Sequence, residues 1–196
     1  LKEKVALELK ENPNKVYELE PELNLISYPA PGFVGIEEGL PDDIESSINY
    51  IIGESEATYQ LGDGNWVGSM EAFKGGKGYW FSAESAVSFS YNAGEFSFLS
   101  KSNYSNKPKL PEEYQVYLST AKAFYFMDLS NFDKGGYLLS YCGNALTGAR
   151  QWNGEIIDVP VMGIDSNEES TGFCSIGEVP HFEYIDTKGT KHKLQA

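Results

Sequence analysis

Residues 57–91 read ATYQLGDGNWVGSMEAFKGGKGYWFSAESAVSFSY, and the fold class turns on this stretch. Its apolar residues come in short runs rich in aromatic and β-branched side chains, each bounded by glycine, asparagine or serine. Such runs are too short for helices and suit strands joined by tight turns. ATYQL, WVGS, GYWFSA and AVSFSY are the expected strands. Asp63-Gly64 lies between the first two, and a two-residue type I′ turn needs positive φ at both central positions, so a hairpin is expected there. Trp66, Tyr79, Trp80, Phe81, Phe89 and Tyr91 are the expected core of this meander.

Upstream, LNLISY (residues 23–28) is an apolar run closed by Pro29 and reads as a buried strand. The pattern then changes. In LPDDIESSINYIIGE (residues 40–54) Ile44, Ile48, Ile51 and Ile52 fall at i, i+4, i+7 and i+8, with Asp42 and Asp43 at the start and Gly53 after the last apolar position. That spacing predicts an amphipathic helix. A second short helix is expected over residues 1–10, where Leu1, Val5 and Leu9 recur every four residues before Pro13.

Downstream, SKSNYSNKPKLPEE (residues 100–113) loses apolar periodicity and gathers Ser, Asn, Lys and two prolines, the signature of a linker. Beyond it YQVYLSTAKAFYFM, YLLSY, residues 156–161 and HFEYI are strand-like, and FDKGG, WNGE, DSNEES and DTKGT separate them as turns. Regularly spaced short strands argue for a sandwich or small barrel. The chain is therefore expected to be mainly β with one or two short helices: a small α+β module over 1–99, a linker over 100–113 and an antiparallel β-sandwich-like module over 114–196.

Composition narrows the function classes. Apolar residues make up 41% of the 196 positions and aromatics 14%, enough to build a core and too much for a disordered chain. The formal charge is −14, and no Lys or Arg occurs between Lys15 and Lys74, an interval that holds Glu37, Glu38, Asp42, Asp43, Glu45, Glu54 and Glu56. Such a negative field repels nucleic acid and anionic membrane and leaves solubility or cation binding as its uses. No apolar run approaches the roughly 18 residues of a membrane span. The chain opens at Leu1 without methionine, which points to a processed product or a piece of something longer.

Chemistry-bearing motifs are sparse. His181 and His192 have no metal-ligand spacing, and the glycine-rich phosphate loops and the nucleophile elbow are absent. Asp165, Asn167 and Glu169 alternate in IDSNEES, and Asp128, Asn131 and Asp133 cluster in DLSNFDKGG; both supply the hard oxygens calcium takes, and both are equally natural as polar turns. No other cofactor is indicated. Trp152, beside Arg150 and Asn153 in a turn, is the candidate for stacking on a sugar ring, whereas Trp80 between Tyr79 and Phe81 reads as core.

Cys142 and Cys174 lie in strand-like segments and either pair or sit as small buried hydrophobes. A bridge across roughly 32 residues would contribute about 3.5 kcal/mol outside the cytosol, and the expectation is that the two face each other across adjacent strands or sheets of the second module.

NLISYP (residues 24–29), IIGE (51–54), NWVGS (65–69) and KGYWF (77–81) together resemble a module that recurs in surface and secreted proteins of marine bacteria and in structural proteins of marine phages. AFYF (123–126), GARQWNG (148–154), DVPVMG (158–163) and GEVPHF (177–182) resemble its partner module. The resemblance implies an extracellular, cell-surface or virion setting and no catalytic residues. The resulting expectation is a non-enzymatic structural or attachment protein acting through other protein subunits, without nucleic acid and without membrane insertion. A carbohydrate-binding module that takes a glycan is the alternative, and a carbohydrate-active hydrolase built on two carboxylates is a second.

Overall fold

The computed structural model describes residues 14–62, 64–92 and 109–194, so the helix expected over residues 1–10 lies outside the described residues. Among the described residues the chain is mainly β with two short α-helices, an α+β arrangement followed by antiparallel sheets. In the first half Tyr17–Leu19 (β1), Glu22–Ser27 (β2) and Phe33–Gly35 (β3) precede two single-turn helices, Ile36–Gly39 (α1) and Asp42–Glu45 (α2). Ile48–Ile52 (β4), Ala57–Gln60 (β5), Trp66–Gly68 (β6), Ala72–Lys74 (β7), Gly78–Ala83 (β8) and Val87–Phe89 (β9) follow. A five-stranded antiparallel sheet runs β2-β8-β4-β5-β6, and the pairs β3-β7 and β1-β9 close over one of its faces.

The helix expected across residues 42–52 stops after one turn. Ile48 to Ile52 form a strand hydrogen-bonded on both sides, to β8 and to β5. The isoleucine spacing fits both structures, because a bulge between Ile48 and Tyr50 breaks strict alternation and puts Ile48 and Ile51 both in the core. Branching at Cβ then favours the strand, where such side chains pack without crowding a preceding helical turn. A β5-β6 hairpin does form, but its loop is longer than a two-residue turn. Leu61 N–H donates to Asn65 O at 2.9 Å and Asn65 N–H to Gly62 O at 3.1 Å, with Gly62 and Gly64 at φ 103° and 74°.

Tyr79, Phe81, Phe73, Phe89, Tyr91, Tyr17 and Tyr28 fill the first core with Leu19, Leu40, Ile48 and Ile51. Its rings meet edge-on and stacked; Phe73 alone contacts Tyr28, Tyr79, Phe81 and Tyr91 at 5.0 to 6.0 Å between centroids, distances at which aromatic pairs attract beyond simple burial.

The second half contains Lys122–Met127 (β10), Tyr137–Cys142 (β11), Ala145–Gln151 (β12), Ile157–Met162 (β13), His181–Ile185 (β14) and Lys191–Leu194 (β15). Sheet β12-β11-β14-β15 faces the ribbon β10-β13, with β13 buried along its whole length. Leu138, Trp152, Ile157, Val159, Phe182, Tyr184 and the two cysteines lie between them. Part of the expected linker belongs to this half: Leu110, with Tyr114, packs on the other face of the sheet against Leu139, Ala149 and Ile185.

Cys142 and Cys174 form a disulfide with Cα atoms 5.3 Å apart. Cys142 ends β11, and Cys174 is bonded to the end of β13 through Met162 O and Ile164 N–H, so the bridge ties the two layers together.

Candidate functional site

The two faces of the five-stranded sheet differ. Residues opposite one another in an antiparallel pair share a face, and the registers place Leu25, Trp80, Ile52 and Ala57 in one row across β2, β8, β4 and β5. The next row is Leu23, Ser82, Tyr50, Tyr59 and Val67. Tyr79, Phe81 and Ile51 point to the opposite face and into the core. The outer rows begin with exposed apolar side chains: Leu23 is 54%, Leu25 59% and Trp80 44% exposed. At the β5 end the face meets the second half of the chain, where the Tyr59 and Phe126 rings lie 5.6 Å apart. Among the described residues nothing covers the β2-β8 end. Single exposed apolar residues are ordinary on proteins, but an adjoining group on one sheet face is informative.

This inverts the expectation for the tryptophans. Trp80 alternates outward between the buried Tyr79 and Phe81. Trp152 is only 3% exposed; its Nε1–H donates to Glu155 O at 2.7 Å and its ring meets Tyr184 edge-on at 6.0 Å, so neither face is open to a sugar. Trp66 is half-buried and donates to Glu45 Oε1 at 3.1 Å. Burial raises the Glu45 carboxyl above its usual range, and the Trp66 hydrogen bond partly offsets the rise.

Arg150, expected beside an open stacking site, is part of the seam between the halves. Its Nη2 lies 3.0 Å from Asp158 Oδ2, 2.5 Å from Ser55 O and 3.3 Å from Ser69 Oγ. Asp158 is fully buried and also accepts from Ser69 N–H. Lys122 Nζ donates to Glu54 O across the same seam. A charge withdrawn from water needs a partner and further hydrogen bonds, and here groups from both halves supply them.

The calcium candidates are turn-formers. The Asp165 carboxylate accepts from Thr120 N–H at 3.0 Å and from Asn167 N–H at 2.9 Å, and these bonds, Thr120 foremost, hold it well below the ordinary carboxylate range. Asp128 Oδ1 accepts from Ser130 N–H at 2.9 Å. Asp133 takes the Tyr184 hydroxyl on its backbone carbonyl at 2.6 Å, and Glu169 sits on a single exposed 3₁₀ turn. Among the described residues no three His, Cys, Asp or Glu side chains converge as metal ligands. A shallow depression of about 490 Å³ is lined, among the described residues, by Lys109, Leu110, Glu112 and Gln115.

Fold and site together define a mainly β protein with packed apolar clusters in each half, a disulfide in the second half, and, among the described residues, an exposed apolar group on a sheet face of the first. No family model matches the chain, and no curated protein or solved structure is significantly similar to it. No helix among the described residues is long and apolar enough to cross a membrane.

Proposed function

We propose that this chain is a non-enzymatic structural or attachment subunit that works outside the cell through protein contacts. The observation that carries the reading is the open patch of Leu23, Leu25 and Trp80. Burying three such side chains against a partner supplies the apolar centre that stable interfaces use, with an exposed indole as its anchor. The disulfide supports the location, because such bridges persist in oxidising compartments.

Light scattering and cross-linking of the intact chain test the reading. Concentration-dependent association is expected, and Leu25→Ser with Trp80→Ser should abolish it while leaving the melting temperature unchanged. A wild-type chain that stays monomeric at every concentration removes the self-assembling form of this reading. An exposed indole also favours a second reading, a glycan stacked on Trp80. Binding on a glycan array that disappears in Trp80→Ala would establish that reading instead.

A further inference from the structure

Four strands end the two larger sheets: β2, β6, β12 and β15. Other elements pack closely on two of them: an added Cβ on Gly68 of β6 would sit 3.0 Å from the Phe126 ring, and one on Gly148 of β12 would meet the Pro160 carbonyl of β13. The other two are β2 on the first sheet and β15 on the second, and among the described residues no strand pairs with the outer edge of either.

The hydrogen-bond pattern shows which backbone groups face outward there. Tyr28 N–H bonds inward to Lys77 O at 3.0 Å, whereas Ser27 O turns away from β8 and accepts the Tyr17 hydroxyl at 2.6 Å. By the alternation of an antiparallel ladder, Leu23 and Leu25 turn their amide and carbonyl groups outward with Ser27. On the other sheet Asp186 N–H bonds to Thr190 O at 3.0 Å, and continuing that register pairs His192 and Leu194 with β14 and turns the backbone of Lys191 and Lys193 outward.

The two edges carry opposite charge. Glu18, Glu20 and Glu22 flank β2 and are exposed. The Asn24 carboxamide, accepting from Glu20 N–H at 3.0 Å and donating to Glu20 O at 2.7 Å, holds Glu20 beside the strand. Lys188, Lys191 and Lys193 are exposed along β15. Charged edges ordinarily prevent strand-to-strand association. In this chain like charges oppose β2 with β2 and β15 with β15, but β15 with β2 places ammonium groups against carboxylates.

We propose that the partner of this chain is a second copy, docked head to tail with β15 of one copy added beside β2 of the next. The proposal rests on the protein-contact reading above and names its occupant. Paired residues share a face, so the aliphatic stems of Lys191 and Lys193 cover the exposed Leu23 and Leu25 while their heads reach the flanking glutamates. Because the two edges differ, the contact is heterologous and propagates into a chain of copies.

Sedimentation velocity of the full chain at several concentrations and salt strengths tests this. Wild type is expected to form a series of oligomers that shrinks as salt rises. Lys191→Glu with Lys193→Glu, or Glu20→Lys with Glu22→Lys, should each lower the association constant at least about tenfold, with circular dichroism and melting unchanged. Mixing the two double variants should restore association, since each then meets an edge of opposite sign. Association unaltered in both charge variants but lost in Leu25→Ser with Trp80→Ser would overturn the edge pairing and leave the apolar-face reading standing; a monomeric wild type would overturn the edge pairing and only the self-assembling form of the apolar-face reading.

Discussion

Asp158 shows how much one side chain can hold. Its carboxylate is fully buried, pairs with Arg150 at 3.0 Å and accepts Ser69 N–H from the other half. Asp158→Ala leaves the guanidinium beside acceptors with no counter-charge, and breaking a buried pair this way costs about 3–5 kcal/mol; a denaturant midpoint should record that loss. Two tyrosines make a contrasting pair. Tyr184 donates to Asp133 O at 2.6 Å and accepts from Gly136 N–H at 3.1 Å, so Tyr184→Phe should cost about 1–3 kcal/mol. The Tyr91 hydroxyl is buried with no hydrogen-bond partner among the described residues, and Tyr91→Phe should be neutral or stabilising by about 1 kcal/mol in the same titration. Neither case was legible in the sequence, because both depend on approach in space; Ser69 and Asp158 are 89 positions apart. Trp80 was within reach: period-2 alternation in GYWFSA sends Trp80 opposite to Tyr79 and Phe81, and only burial could decide which face was outside.

At the scale of elements, the short β runs were readable because aromatic and β-branched residues bounded by turns leave few alternatives, and β5, β8, β11, β13 and β14 form close to where those runs lie. The isoleucines of β4 were ambiguous, since a bulged strand and a helix can bury the same positions. LNLISY was read as buried, yet β2 is an edge strand whose Leu23 and Leu25 face solvent; nothing local tells an edge from a centre. Close approach of elements is equally silent. A Cβ on Gly148 would lie 1.7 Å from Pro160 O, so Gly148→Ala must push β13 off β12 and should cost about 3 kcal/mol. Gly78→Ala, where the nearest atom is 3.6 Å away, should leave the melting temperature almost unchanged. The disulfide acts on the same two layers. Reduction should destabilise the second core by about 3–4 kcal/mol, the entropy of a loop of 32 residues, and calorimetry should show it as a lower melting temperature.

For the whole molecule, pH acts through carboxylates held by hydrogen bonds and through phenols raised by burial. The second half holds carboxylates fixed by hydrogen bonds: His192 and then Thr190 N–H bring Asp186 down to about 2, and Thr120 N–H and Asn167 N–H lower Asp165 as well. A depressed folded pKa adds stability above the unfolded value, near 4, and that stability fades as pH falls through the folded value. The half with Asp165 and Asp186 should therefore weaken between about pH 4 and 2. In the first core burial raises the phenols of Tyr28, Tyr79 and Tyr91 above their ordinary value. A raised folded pKa adds stability that is complete below the unfolded value, about 10, and is lost as pH climbs above it, because only the unfolded chain ionises these groups easily. Alkaline titration should thus unfold the aromatic core. Tyrosinate absorbance should show a late phase in which Tyr28, Tyr79 and Tyr91 ionise only with loss of the near-ultraviolet dichroism of the core. A single smooth ionisation near pH 10 with that dichroism retained would mean that the three hydroxyls reach water in the folded state.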